Sequence, residues 1–192
     1  MLACLCAGIS VIFCIMLHSF GKVFKTFSPN PYERVFFGGT VILCITLLLG
    51  TTRYSGTGIE VIVSAIGGTA RNTDFFWKML FTAITLACGY KGGEIIPSFF
   101  VGATFGCVIA PVLGLSSSLG AAIGMVSVFC GVTNCPIASL LIALELFGKA
   151  PILYFLLAIA ISYMLSGYYS LYKTQIIAVS KYKNEYVDKK TH

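Results

Sequence analysis

The sequence predicts an all-α, polytopic membrane protein with broken and re-entrant helices. Three observations predict it. Of the 192 residues, 57% are hydrophobic and only 10% charged, against about 25% charged in soluble domains, and the mean hydropathy is +0.91. Apolar runs recur along the chain, and between Lys91 and Lys173 the only further charges are Glu94, Glu145 and Lys149. Several of these runs are cut short by Gly or Pro, and irregular backbone at membrane depth is tolerated only where it packs in protein or lines a cavity.

Residues 2–20 are long enough to span, since about 20 apolar residues cross the hydrocarbon core. The stretch has no basic leader and no small-residue cleavage site, so it reads as a retained helix rather than a signal peptide. It also begins inside an apolar run, as a piece of a longer protein would. "SPNPYER" reads as a turn with two prolines, residues 35–50 as a second apolar run, and "TTRYSGTG" as a break. "IEVIVSAIGG" is too short to span and reads as a re-entrant or half-depth helix. "RNTDFFWKMLFTAITLACGY" is a helix for which Asn72, Thr73 or Asp74 is the expected N-cap, with Trp77 at the interface. Next comes "IIPSFFVGATFGCVIAPVLGL", with Gly102 and Gly106 on one face. "SSSLGAAIGMVSVFCGV" repeats the pattern with Gly120 and Gly124. Such small-residue faces let helices approach closely in lipid. In "TNCP", Asn134 is the expected cap of a short helix with Pro136 in its first turn, and "ILYFLLAIAISYMLSGYYSLYKTQIIAVSKYK" closes the chain.

The net charge of +6 does not imply nucleic acid, because the basic residues sit in loops and at the end, where they mark the cytoplasmic side. Residues 1–180 are therefore read as the membrane domain. Residues 181–192, with Lys181, Lys183, Lys189 and Lys190, are read as a basic cytoplasmic tail. The eight cysteines lie mostly in apolar runs, with no CxxC pair, and suit packing rather than metal. There is no GxSxG, HExxH or P-loop, and Ser116 to Ser118 read as a loop with no His near. The expectation is a non-enzyme with no catalytic residues, metal or cofactor.

Site chemistry concentrates in "GGEIIP". Gly92 and Gly93 permit unusual backbone angles, and Pro97 suits a first helical turn, so a helix is expected to start near Glu94 or Ile95. Its leading N–H groups have no helical acceptor, and the macrodipole adds about half a positive charge there. Two readings stand side by side. Glu94 is a capping carboxylate paired with Lys91 at an interfacial helix start, or it is an intramembrane, ion-handling acid. Glu145, four residues before Lys149, reads as an interfacial ion pair. Tyr168, Tyr169 and Tyr172 are belt residues, or Tyr172 turns its hydroxyl toward an ion.

"GYKGGEIIPSFFVGATFG" resembles the ClC family of chloride channels and proton-coupled anion antiporters. Gly93 to Pro97 occupies the family's G-x-F-x-P element, with Ile95 in place of Phe. "GMVSVFCGVTNCPIASLLIALEL" resembles the family's small-residue helix and the dimer-interface helix after it. "SLYKTQII" resembles its last membrane helix, whose tyrosine hydroxyl meets the central anion. The resemblance covers the second half of the family fold; the serine loop and the gating-glutamate element of the first half have no counterpart. It implies anion binding by Gly93, Glu94, Ile95 and Tyr172, a multi-pass protein of the plasma membrane, and a homodimer. "GGE" resembles the fluoride/proton antiporter branch, with Ile96 departing from that branch's Thr, and implies a proton-coupling role for Glu94. The implied partners are fluoride or chloride, protons and the lipid bilayer. Fluoride export stands beside two alternatives: a chloride channel or chloride/proton antiporter, and a truncated, non-transporting protein that packs against a partner.

Overall fold

The computed structural model describes residues 1–27, 29–172, 174–182 and 185–191. Eight α-helices run through the described residues: α1 (Leu2–Phe27), α2 (Pro31–Leu49), α3 (Ile59–Ile66), α4 (Asp74–Ala87), α5 (Ile95–Ile109), α6 (Ser117–Thr133), α7 (Pro136–Phe147) and α8 (Ile152–Leu165). Two strands, β1 (Ile176–Val179) and β2 (Tyr186–Lys190), close the chain as an antiparallel pair. The membrane body is helical throughout.

Among the described residues, only α1 and α2 have the length and hydropathy to cross a bilayer unaided. At 1.5 Å per residue, the eight residues of α3 reach only about 12 Å, against a hydrocarbon core of about 30 Å. The centre is the α5–α6 pair. Every residue of α6 from Gly120 onward is buried, as is α5 from Phe100 to Cys107. These helices are apolar on all sides because they face protein on all sides. Their backbones touch through the spaced glycines: a β-carbon built at Gly102 would lie 2.5 Å from the Gly124 carbonyl oxygen.

Several boundaries differ from the sequence reading. Helix α2 starts at Pro31, inside the expected turn, because Asn30 accepts from the Tyr32 amide and Pro31 occupies the first helical position. Asn134 caps the C-terminus of α6 rather than the start of α7. It sits at φ 57° and ψ 32°, in the left-handed region that Asn tolerates, and Cys135 is the N-cap of α7. Ser117 and Ser118 belong to α6, and Ser116 caps it by accepting from the Leu119 amide. Thr73 is the N-cap of α4 without a side-chain bond. Asp74 is instead fully buried, accepting from Arg53 Nη2 at 3.1 Å, the Tyr54 hydroxyl at 2.8 Å and the Arg71 amide at 3.2 Å.

The largest departure is at the C-terminal end. The described residues of the segment that resembles a last membrane helix are not helical: 170–172, 174 and 175 are irregular and lead into β1. Residues 181–192, read as a tail, begin with a buried lysine and include β2; Lys183 lies outside the described residues. The physical cause is the end of α6, whose last carbonyls need donors. Leu171 N donates to Val132 O at 2.9 Å and Gln175 Nε2 to Thr133 O at 3.1 Å. Asn134 Nδ2 donates to Tyr169 O at 2.9 Å. These bonds hold the segment in an extended path across the end of α6.

Candidate functional site

Helix α5 begins where the glycine–proline pattern puts it, with Glu94 as N-cap and Ile95 as first residue. The Glu94 side chain does not cap the first-turn amides. Ser98 is turned the other way, its hydroxyl donating to Ile95 O at 2.6 Å, and Pro97 has no N–H to offer. The Ile95 and Ile96 amides thus keep their donors unspent among the described residues. With the macrodipole behind them, they form an anion-attracting helix end.

That end faces a cavity of about 720 Å³ lined by the segment Gly92 to Ile96 and by Leu171, Tyr172 and Thr174. Gly93, Glu94, Ile95 and Tyr172, distant in sequence, therefore meet in one space. The anchoring of Tyr169, Leu171 and Gln175 on the end of α6 positions Tyr172. Its amide donates to Ser170 Oγ at 3.2 Å, and its carbonyl accepts from Thr191 Oγ1 at 2.8 Å. Tyr172 is 43% exposed, and its hydroxyl has no hydrogen-bond partner among the described residues. Donors from two elements and one acid therefore converge on the same volume.

Other expectations resolve differently. The single ion pair among the described residues is Arg53–Asp74, so neither Lys91 with Glu94 nor Lys149 with Glu145 forms the expected pair. Tyr168 is tied to the C-terminal hairpin, its hydroxyl 3.0 Å from Ser180 Oγ and its ring against Tyr182. The sequence reading passes over Lys78. It is 1% exposed, sits in the apolar stretch "FFWKMLF", and donates to the carbonyls of Tyr54 and Gly56 at 3.1 and 2.7 Å. The signal was present, since a charge inside a membrane helix is functional by default.

Residues 1–167 match the family described as voltage gated chloride channel. The chain belongs to that family. A relative named chloride/fluoride channel protein, from Pseudomonas syringae pv. tomato, is 35% identical over 178 residues, covering 90% of this chain and 39% of its own length. The crystal structure of a CLC-type fluoride/proton antiporter superposes with a TM-score of 0.86 at 30% identity, covering 89% of this chain and 44% of that one. The chain thus spans less than half the length of these two family members. Tyr172 lies beyond the stretch matched to the family, so its place at the site rests on the cavity it shares with Glu94.

Proposed function

We propose that this chain takes part in CLC-type anion transport, and that the anion is fluoride moved in exchange for protons. The observation that carries the reading is the shared cavity: the unspent amides of α5, the Tyr172 hydroxyl and Glu94 all line it. Fluoride is small and strongly hydrated, and several strong donors must replace its water. The Ile95 and Ile96 amides and the Tyr172 phenol supply three. Glu94 supplies a fourth when protonated, and when ionised it competes with fluoride for the helix end. That competition couples proton to anion. The names of the Pseudomonas relative and of the structural neighbour, which both mention fluoride, support the same reading.

The reading extends to the assembly and its placement: a homodimer in the plasma membrane, with the C-terminus cytoplasmic. The decisive experiment loads proteoliposomes with fluoride or chloride and follows anion release and internal pH together. The wild type is expected to release fluoride in preference to chloride and to take up protons as it does. Glu94→Gln is expected to abolish the proton uptake. Chloride release with no preference for fluoride would favour the chloride alternative. Unchanged coupling in Glu94→Gln would remove Glu94 from the mechanism. No flux of either anion would leave the chain a packing partner.

A further inference from the structure

A second cavity, of about 470 Å³, borders the Gly92–Gly93 loop between α2, α4 and the 51–58 loop. It shares Gly92, Gly93 and Ile96 with the cavity that holds Glu94 and Tyr172. Its wall includes Lys78 and contains no aspartate or glutamate. Lys78 is 1% exposed, and an ammonium carries three N–H donors. Two are engaged, by the Tyr54 and Gly56 carbonyls at 3.1 and 2.7 Å, and the Phe100 ring centroid lies 5.1 Å away.

Among the described residues, no carboxylate lies within 4.0 Å of the Lys78 nitrogen. The nearest acid along the helix, Asp74, is engaged by Arg53, Tyr54 and the Arg71 amide. A buried charge without a counter-ion is costly, and an arriving anion lowers that cost. The rest of the wall is suited to the same ligand. The hydroxyls of Ser55 and Thr57 and the amides of Gly92 and Gly93 donate to nothing among the described residues. By contrast, the Thr82 and Thr85 hydroxyls are spent on helix carbonyls, each at 2.7 Å.

We propose that this cavity is a second anion station, where Lys78 holds a small monovalent anion that exchanges past the Gly92–Gly93 loop with the Glu94–Tyr172 cavity. The exchange clause rests on the transport reading above; occupancy of the station does not. Lys78 is then a residue for anion capture as well as an anchor of the 51–58 loop.

Two measurements test it. The first soaks wild-type crystals in sodium bromide and collects anomalous diffraction. A bromide peak within hydrogen-bonding distance of Lys78 Nζ is expected, and a cavity without one overturns the proposal whatever any variant does. The second compares proteoliposome flux of wild type and Lys78→Gln across anion concentrations. Loss of charge attraction at a capture site is expected to raise the half-saturating concentration about tenfold. The number of protons moved per anion should stay unchanged, since Glu94 is intact. An unchanged half-saturating concentration, with only a lower melting temperature, would reduce Lys78 to a loop anchor. The two readings fail separately. Bromide on Lys78 without flux leaves the station and sinks transport; flux without bromide on Lys78 does the reverse.

Discussion

At the residue scale the chain handles two buried lysines in two ways. Lys78 keeps a donor in reserve, whereas Lys181 spends its own on three acceptors: Asn134 Oδ1 at 2.5 Å, Tyr163 O at 2.8 Å and Ser166 Oγ at 3.2 Å. The Tyr163 ring centroid lies 4.2 Å from its nitrogen. Burial still disfavours the ammonium and brings the Lys181 pKa from 10.5 down to about 8. Between about pH 8 and 10.5 the unfolded chain therefore holds a proton that the folded chain has released, and folding stability rises with pH through that window. Denaturation in detergent at stepped pH checks this: the wild-type midpoint should climb relative to Lys181→Gln from pH 8 to 10.5, and parallel profiles would contradict it. Lys181 also marks a limit of the sequence. Four lysines near a chain end look like a solvated tail. Nothing local reveals that the first of them reaches the left-handed Asn134 at the end of α6. Glu94 was legible because its signal is local: two glycines, an acid and a proline within six residues. That Tyr172 lines the same cavity was legible only through the family resemblance, since no spacing rule joins residues so far apart.

At the element scale the glycines of α5 and α6 form a testable seam. A β-carbon at Gly124 would sit 2.8 Å from the Gly106 Cα, backbone that cannot rotate away. Gly8 in α1 has nothing within 4 Å of its would-be β-carbon. The two positions should respond with opposite sign. Gly124→Leu forces the central helices apart and should cost at least about 1–3 kcal/mol. Gly8→Ala only removes backbone freedom from the unfolded chain and should stabilise by up to about 1 kcal/mol. Melting curves in detergent distinguish them, and equal responses would mean that the α5–α6 contact does not set stability. The seam, the short α3 and the start of α5 were all readable, because glycine spacing and helix length are local properties. The β1–β2 pair was not. Ile176–Val179 is a four-residue strand, and an apolar run that short does not distinguish helix from strand by its period. Its extended form is held by antiparallel pairing with β2, while the carbonyls of Val132 and Thr133 anchor Leu171 and Gln175 just before it.

At the scale of the whole molecule, the question is what covers the outer faces of α7 and α8. Ile137 and Leu141 on α7 are 76% and 60% exposed, and Leu153 and Leu157 on α8 are 71% and 65% exposed. Each pair is one helical turn apart, so each helix presents an apolar stripe. In a bilayer such stripes meet lipid or protein. In the homodimer proposed above, a second copy of the chain would cover them, and the two stripes would pack against it by shape rather than by escape from water. Packing of that kind is sensitive to steric change, which lipid contact is not. Leu141→Trp combined with Leu157→Trp should therefore raise the dimer dissociation constant at least about tenfold, which corresponds to about 1.4 kcal/mol. The folded monomer should keep its melting temperature, because neither side chain belongs to the α5–α6 core. Single-molecule photobleaching of labelled protein at graded dilution in lipid gives both the stoichiometry and the shift. A wild type that stays single at high protein-to-lipid ratio would leave the stripes to lipid and remove the dimer. A double variant that dimerises as well as the wild type would place the interface on another face, and α2, whose apolar span is only 6% buried, would then be the surface to mutate.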